Sequence, residues 1–215
     1  MVVRPASSSK MWSILSAYRI RVISSDIPYS FSEKIVGMLI YITGASGCGK
    51  TTVLKSLRPF VPGYDLDDLY EANWKKHRTM TTVQKGVIKD INSIISAKKD
   101  VVFVGLQGSA DLPFKPDLVI LLVRKDYEDY FRQKLVRDLK LLCEGQAEYV
   151  DILKNKPFSE FRNYFWSNDV VGMKTLKEFK AYVHKMNAAI KTDFPQAKVM
   201  LSCKIADFIR KILAK

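Results

Sequence analysis

Eight consecutive residues, Gly44-Ala45-Ser46-Gly47-Cys48-Gly49-Lys50-Thr51, fit the phosphate-binding pattern G-x-x-x-x-G-K-[ST] at every fixed position. Glycines let a backbone wrap closely around an anion. The amides of residues 47 to 50, with the positive end of a helix starting there, would point at a β-phosphate. Lys50 is placed to bridge β- and γ-phosphates, and Thr51 to give its hydroxyl to Mg²⁺. The candidate contacts for a nucleoside triphosphate such as ATP are therefore Gly44, Ala45, Ser46, Gly47, Cys48, Gly49, Lys50, Thr51 and Thr52. A second focus is Asp65-Leu66-Asp67-Asp68. One carboxylate could hold Mg²⁺ or its waters beside Thr51, and another could accept the proton of an attacking hydroxyl. Asp68-x-x-Glu71 also reads as a capping box for a helix through Tyr70, Trp74 and Lys75. Asp68 is accordingly expected to cap, and Asp65 and Asp67 to be catalytic or substrate-binding, with Asp65 the metal ligand.

These groups need elements to hold them. Met38-Leu39-Ile40-Tyr41-Ile42 is an apolar run suited to a fully buried parallel strand, and Thr43 leads directly into the glycines. A helix runs from Thr51 to Leu57, until Arg58-Pro59 breaks it. Residues 60–64 give a turn and a short second strand, so the acidic cluster leaves a carboxyl end, where parallel α/β sheets bind ligands. His77 and Arg78 close the next helix, a favourable place for cations whether or not they touch substrate. Val83, Val87, Ile91, Ile94 and Ile95 recur at helical spacing over 81–97. The third strand is Val101–Leu106, with Gln107-Gly108-Ser109 beyond it as pocket lining or as an ordinary loop. A fourth strand, Leu118–Val123, precedes a long helix to about Cys143 that carries Arg132 and Arg137. Five positions turn a helix by roughly 140°, so these two arginines cannot share one narrow stripe. Among the aromatics of 158–166 the spacing favours core over a base-stacking surface. Ala197–Ser202 forms a last strand, followed by a helix with Ile205, Phe208, Ile209 and Ile212 inward.

Thirty-five Lys and Arg against 22 Asp and Glu leave a net charge of +13 on 215 residues. Such a balance suits an anionic partner (nucleotide, nucleic acid or membrane surface), or simply a basic protein, since the charge is spread along the chain. Cys48, Cys143 and Cys203 form neither a disulfide framework nor a zinc pattern, as expected of a cytoplasmic or other reducing compartment. No apolar run approaches the ~20 residues of a membrane helix. Residues 1–37 are Ser-rich and basic, with Asp26 the first acid; the composition is that of an organellar targeting segment and equally of a disordered extension. The expected organisation is this extension, then a domain over 38–215 with a helical lid or insert around 143–196.

Missing motifs narrow the chemistry. Neither apolar strand after the loop ends in the acid that motor-type ATPases use to hold Mg²⁺ and polarise water. The nearest approach to a base-reading N-K-x-D, Asn155-Lys156-Pro157-Phe158, lacks its Asp. With the glycine loop, Asp65-Leu66-Asp67, Val101–Gly105, and Leu118–Val123 followed by Arg132 and Arg137, the chain resembles the P-loop kinases of small molecules: nucleoside, nucleotide, shikimate and gluconate kinases. The resemblance implies a three-layer α/β P-loop NTPase fold with five parallel strands in the order 2-3-1-4-5. It also implies that the acid after strand two serves Mg²⁺ or the acceptor, and that Arg132 or Arg137 belongs to a lid clamping the transferred phosphoryl. Strand three departs from the pattern by ending in Leu106-Gln107 without an acid. The function so implied is ATP- and Mg²⁺-dependent phosphoryl transfer to a small acceptor, a nucleoside or nucleoside monophosphate. The alternatives are a polynucleotide 5′-hydroxyl kinase, which fits the charge, and a nucleotide-binding or hydrolysing module without acceptor.

Overall fold

The central strand is β1 (Leu39–Thr43), and all five of its residues are buried. The computed structural model describes residues 37–77, 79–142 and 175–214, except the side chains of Met80 and 137–142. After β1 come α1 (Lys50–Leu57), β2 (Gly63–Asp65), α2 (Leu66–Lys76), α3 (Met80–Ala97) and β3 (Val101–Val104). A 3₁₀ turn (Ser109–Asp111), β4 (Leu118–Val123), α4 (Tyr127–Leu142), α5 (Leu176–Asp193), β5 (Lys198–Leu201) and α6 (Ser202–Leu213) complete the order. The strands pair in parallel in the order β2-β3-β1-β4-β5. β1 lies between β3 and β4, with Leu39 opposite Val101 and Ile40 opposite Leu118.

Parallel strands covered on both faces read as continuous apolar runs rather than alternating ones. Val101–Val104 and Ile120–Leu122 obey this, each residue at most 1% exposed. On one face Leu39, Tyr41, Val101 and Phe103 pack with Val83, Val87 and Ile91 of α3 and with Ile190 and Phe194 at the end of α5. Successive strand residues point to opposite faces, so Ile40, Ile42, Val102 and Val104 turn the other way, toward α1 and α6, which pack together. This is the P-loop NTPase fold in three layers.

The chain divides into two compact units: Glu33–Phe131 with Met173–Lys215, and Met1–Ser32 with Arg132–Gly172. The first contains the whole sheet. Of the expected lid or insert, 143–174 lies outside the described residues. The described remainder belongs to the sheet unit: α5 begins with a complete Thr175–Glu178 capping box and buries Phe179, Val183 and Ile190. The basic, Ser-rich expectation for 1–37 falls, but for Gly37, outside the described residues. Strand three also ends two residues earlier than its apolar run. There the Gln107 side-chain carbonyl accepts from the Leu106 amide at 3.0 Å and turns the chain out of the sheet.

Candidate functional site

The site begins where β1 stops. Gly44 has φ 154°, and a Cβ there would lie 2.5 Å from the Leu122 carbonyl oxygen, so only glycine lets the turn rest on β4. Ala45 and Cys48 are buried beneath the loop, and the Cys48 amide donates to the Ala45 carbonyl at 3.1 Å. That amide therefore closes the turn, a correction to the expectation that all amides from 47 to 50 face an anion. Burial pushes the Cys48 thiol up, which suits a packing residue and not a nucleophile. Gly49, in the left-handed region at φ 103°, precedes α1 and makes no side-chain cap. The first-turn amides, Lys50, Thr51 and Thr52 among them, have no helical partner, and the positive end of the helix macrodipole lies with them. Lys50 Nζ lies across the loop, donating to the Gly44 carbonyl at 2.7 Å.

β2 delivers the second half. Its last residue, Asp65, accepts from the Thr51 hydroxyl at 3.3 Å through one oxygen and from the Asp67 amide at 3.0 Å through the other. Asp65 is thus both the N-cap of α2 and the carboxylate beside Thr51. This corrects the assignment of capping to Asp68, which sits inside the first turn with Asp67. The strand ends one residue before the helix begins, so the carboxylate at the junction reaches the amide two residues on. Burial first, then the charge of Asp67, hold the Asp65 carboxyl above the usual carboxylate range.

The donor set can be tested against Mg²⁺. Thr51 and Asp65 offer oxygens alone, and among the described residues no group of three or more His, Cys, Asp or Glu converges. An ion that takes one or two carboxylates and draws its remaining ligands from water and substrate phosphates fits that pair. The loop fits a nucleotide's phosphates in turn, with its positive-φ glycines, its uncapped helix and Lys50.

Other expected residues fall elsewhere. Gln107 is engaged in the fold, its backbone carbonyl accepting from the buried Tyr41 phenol at 3.0 Å. Burial pushes that phenol far above the tyrosine range, so it stays a neutral donor. His77 caps the end of α2 and faces Gly86 of α3. Arg132 and Arg137 are on α4, in the second compact unit; the Arg137 side chain is outside those described. A cavity of about 400 Å³ opens at Met38, Lys99, Asp100 and Asp117, where the parallel strands begin, and none of the phosphate-loop residues lines it. There the Asp100 and Asp117 carboxylates accept from the Met38 and Leu39 amides at 2.9 and 2.7 Å, which fixes the start of β1.

Two residues at the loop had no motif to announce them. Tyr130 of α4 donates to the Ser46 carbonyl at 2.9 Å, and Arg124, just past β4, lies over its ring and pairs with Asp129. Position after a strand's carboxyl end could have flagged Arg124; Tyr130 carried no such signal.

No family model matches the chain, and no curated protein matches it. Among solved structures it is similar to a shikimate kinase from Bacteroides thetaiotaomicron, at 14% identity and TM-score 0.44, over 83% of this chain and 99% of that one. A gluconokinase from Sinorhizobium meliloti matches at 11% and 0.35, over 85% and 92%. A thymidylate kinase from Candida albicans matches at 11% and 0.35, over 83% and 91%. Likeness this distant assigns neither reaction nor acceptor, and the site's own residues must carry the functional reading.

Proposed function

We propose that this protein is a phosphotransferase that moves the γ-phosphoryl group of ATP to a small acceptor, a nucleoside or nucleoside monophosphate. The observation that carries the reading is the 3.3 Å contact between Thr51 and Asp65, which joins the donor loop to the carboxylate leaving β2. Thr51 and Asp65 would hold Mg²⁺, which when bound spreads and neutralises charge on the phosphate oxygens. Lys50 would hold the phosphates, and Asp67, exposed in the first turn of α2, would take the acceptor's proton. Arg132 or Arg137 would clamp the transferred group, and catalysis would consist of positioning and charge neutralisation.

Labelled ATP offered with nucleosides, nucleotides, sugars and oligonucleotides tests this directly. Transfer to at least one small acceptor is expected in the wild type, and Lys50→Ala should lose it by a factor of about a thousand while melting at the wild-type temperature. Full transfer in Lys50→Ala, or ATP turnover that no acceptor changes, would sink the reading.

A further inference from the structure

Ser46 and Tyr130 are 84 positions apart in sequence and meet at the phosphate loop. Tyr130 stands in the first turn of α4 and is 1% exposed. Its ring is edge-on to Phe179, centroids 4.9 Å apart, and the Arg124 guanidinium lies over it at 5.6 Å. Asp129 holds that guanidinium in an ion pair. The phenol is therefore fixed on several sides before it donates to the Ser46 carbonyl at 2.9 Å.

A trans peptide is planar, and its carbonyl points opposite to the N–H of the next residue. A Ser46 carbonyl turned to α4 thus turns the Gly47 amide away from α4. Gly47 has φ 82°, and without a Cβ the plane between residues 46 and 47 can rotate at little steric cost. The Cys48–Ala45 bond closes the turn around the 46–47 peptide without bonding to that peptide itself, and since the Cys48 amide is so occupied, Gly47 is the first available one.

We propose that Tyr130 is a positioning residue of the phosphate loop: its phenol fixes the 46–47 peptide so that the Gly47 amide stays turned to the phosphates of a bound nucleotide. The inference rests on the reading of this loop as a nucleotide site and adds a residue that no loop pattern contains. Tyr130→Phe keeps the ring and removes the phenol's hydrogen bond to the Ser46 carbonyl. It should weaken Mg·ADP binding, measured by calorimetry, by about three- to tenfold. The KM for ATP should rise by the same factor, kcat should change less, and the melting temperature should hold. A variant that melts like the wild type and binds Mg·ADP within about twofold of it overturns the proposal. Should Tyr130→Phe fold poorly, the wild-type protein decides: Mg·ADP should move the Gly47 amide proton downfield in an NMR titration, and a resonance that stays in place at saturation overturns the proposal too. Wild-type protein that does not bind Mg·ADP at all defeats the nucleotide reading itself, so the two failures are separable.

Discussion

Asp65 carries two duties with one carboxylate. One oxygen caps α2 and the other stands against Thr51, and the charge of Asp67 adds to burial in holding its proton on. The ionised form is the one that can hold a metal ion, and with a raised pKa that form is lost, as pH falls, earlier than for an ordinary carboxylate. The acid limb of kcat/KM, which reports the free enzyme, should therefore lie above the usual carboxylate range. Asp67→Asn removes the second cause of the shift and should move that limb to lower pH, whatever it does to the maximal rate. Asp65→Asn should remove the raised limb, leaving the one that Asp67 contributes as base, and lower kcat by roughly a hundredfold. A limb that ignores both substitutions would assign the titration to another group and return Asp65 to capping alone.

At the scale of elements, the α2–α3 pair flanking the acidic end is held by an interior polar contact. Asn73 is 2% exposed and donates to the Asp90 carboxylate at 2.7 Å and to the Leu69 carbonyl at 3.0 Å. The helices approach closely at Gly86, where a Cβ would lie 2.1 Å from Asn73 Oδ1 and 3.1 Å from His77 Nε2. Helix propensity alone would make Gly86→Ala stabilising by about 1 kcal/mol. The clash should reverse the sign, because Asn73 can move only by giving up buried hydrogen bonds; a net loss of about 1–3 kcal/mol is expected in thermal or urea unfolding. A stabilised variant would mean that the helices part freely. Contacts of this kind also explain which parts of the molecule were legible in the sequence. The phosphate loop and the four longer strands were readable because their signals are contiguous: a fixed pattern, and runs such as Leu118–Val123 buried on both faces. The cap at Asp65 was misread because two aspartates three positions apart spell equally good N-termini, and the strand's end chose between them. Residues 175–196 read as part of an insert, since nothing local says that Phe179 will meet Tyr130 and Phe131 or that Phe194 will meet Tyr41. The bond from Tyr130 to Ser46 spans 84 positions and has no local signature at all.

Charge belongs to the whole molecule, and individual helices differ in it. The α1 and α6 layer exposes Lys55, Arg58, Lys204, Arg210 and Lys211 against Asp207, whereas α2 sets Asp67, Asp68 and Glu71 against Lys75 and Lys76. A net charge of +13 attracts a triphosphate through solvent, and salt screens that attraction as the Debye length falls from about 10 Å at 0.1 M to about 3 Å at 1 M. The KM for ATP should accordingly rise by several-fold between low and high ionic strength, with kcat changed less. The acceptor separates the two kinase readings in the same experiment. An uncharged nucleoside has nothing to screen, so its KM should stay level as the KM for ATP climbs. A polynucleotide 5′ end held along a basic groove displaces counterions from every neutralised phosphate, and its KM should climb more steeply than that of ATP. Parallel salt series on a nucleoside and on a short single-stranded oligonucleotide therefore decide what the positive charge is for. Transfer to the oligonucleotide alone, with a steep salt slope, would replace the small acceptor by a strand and leave the donor half of the site unchanged.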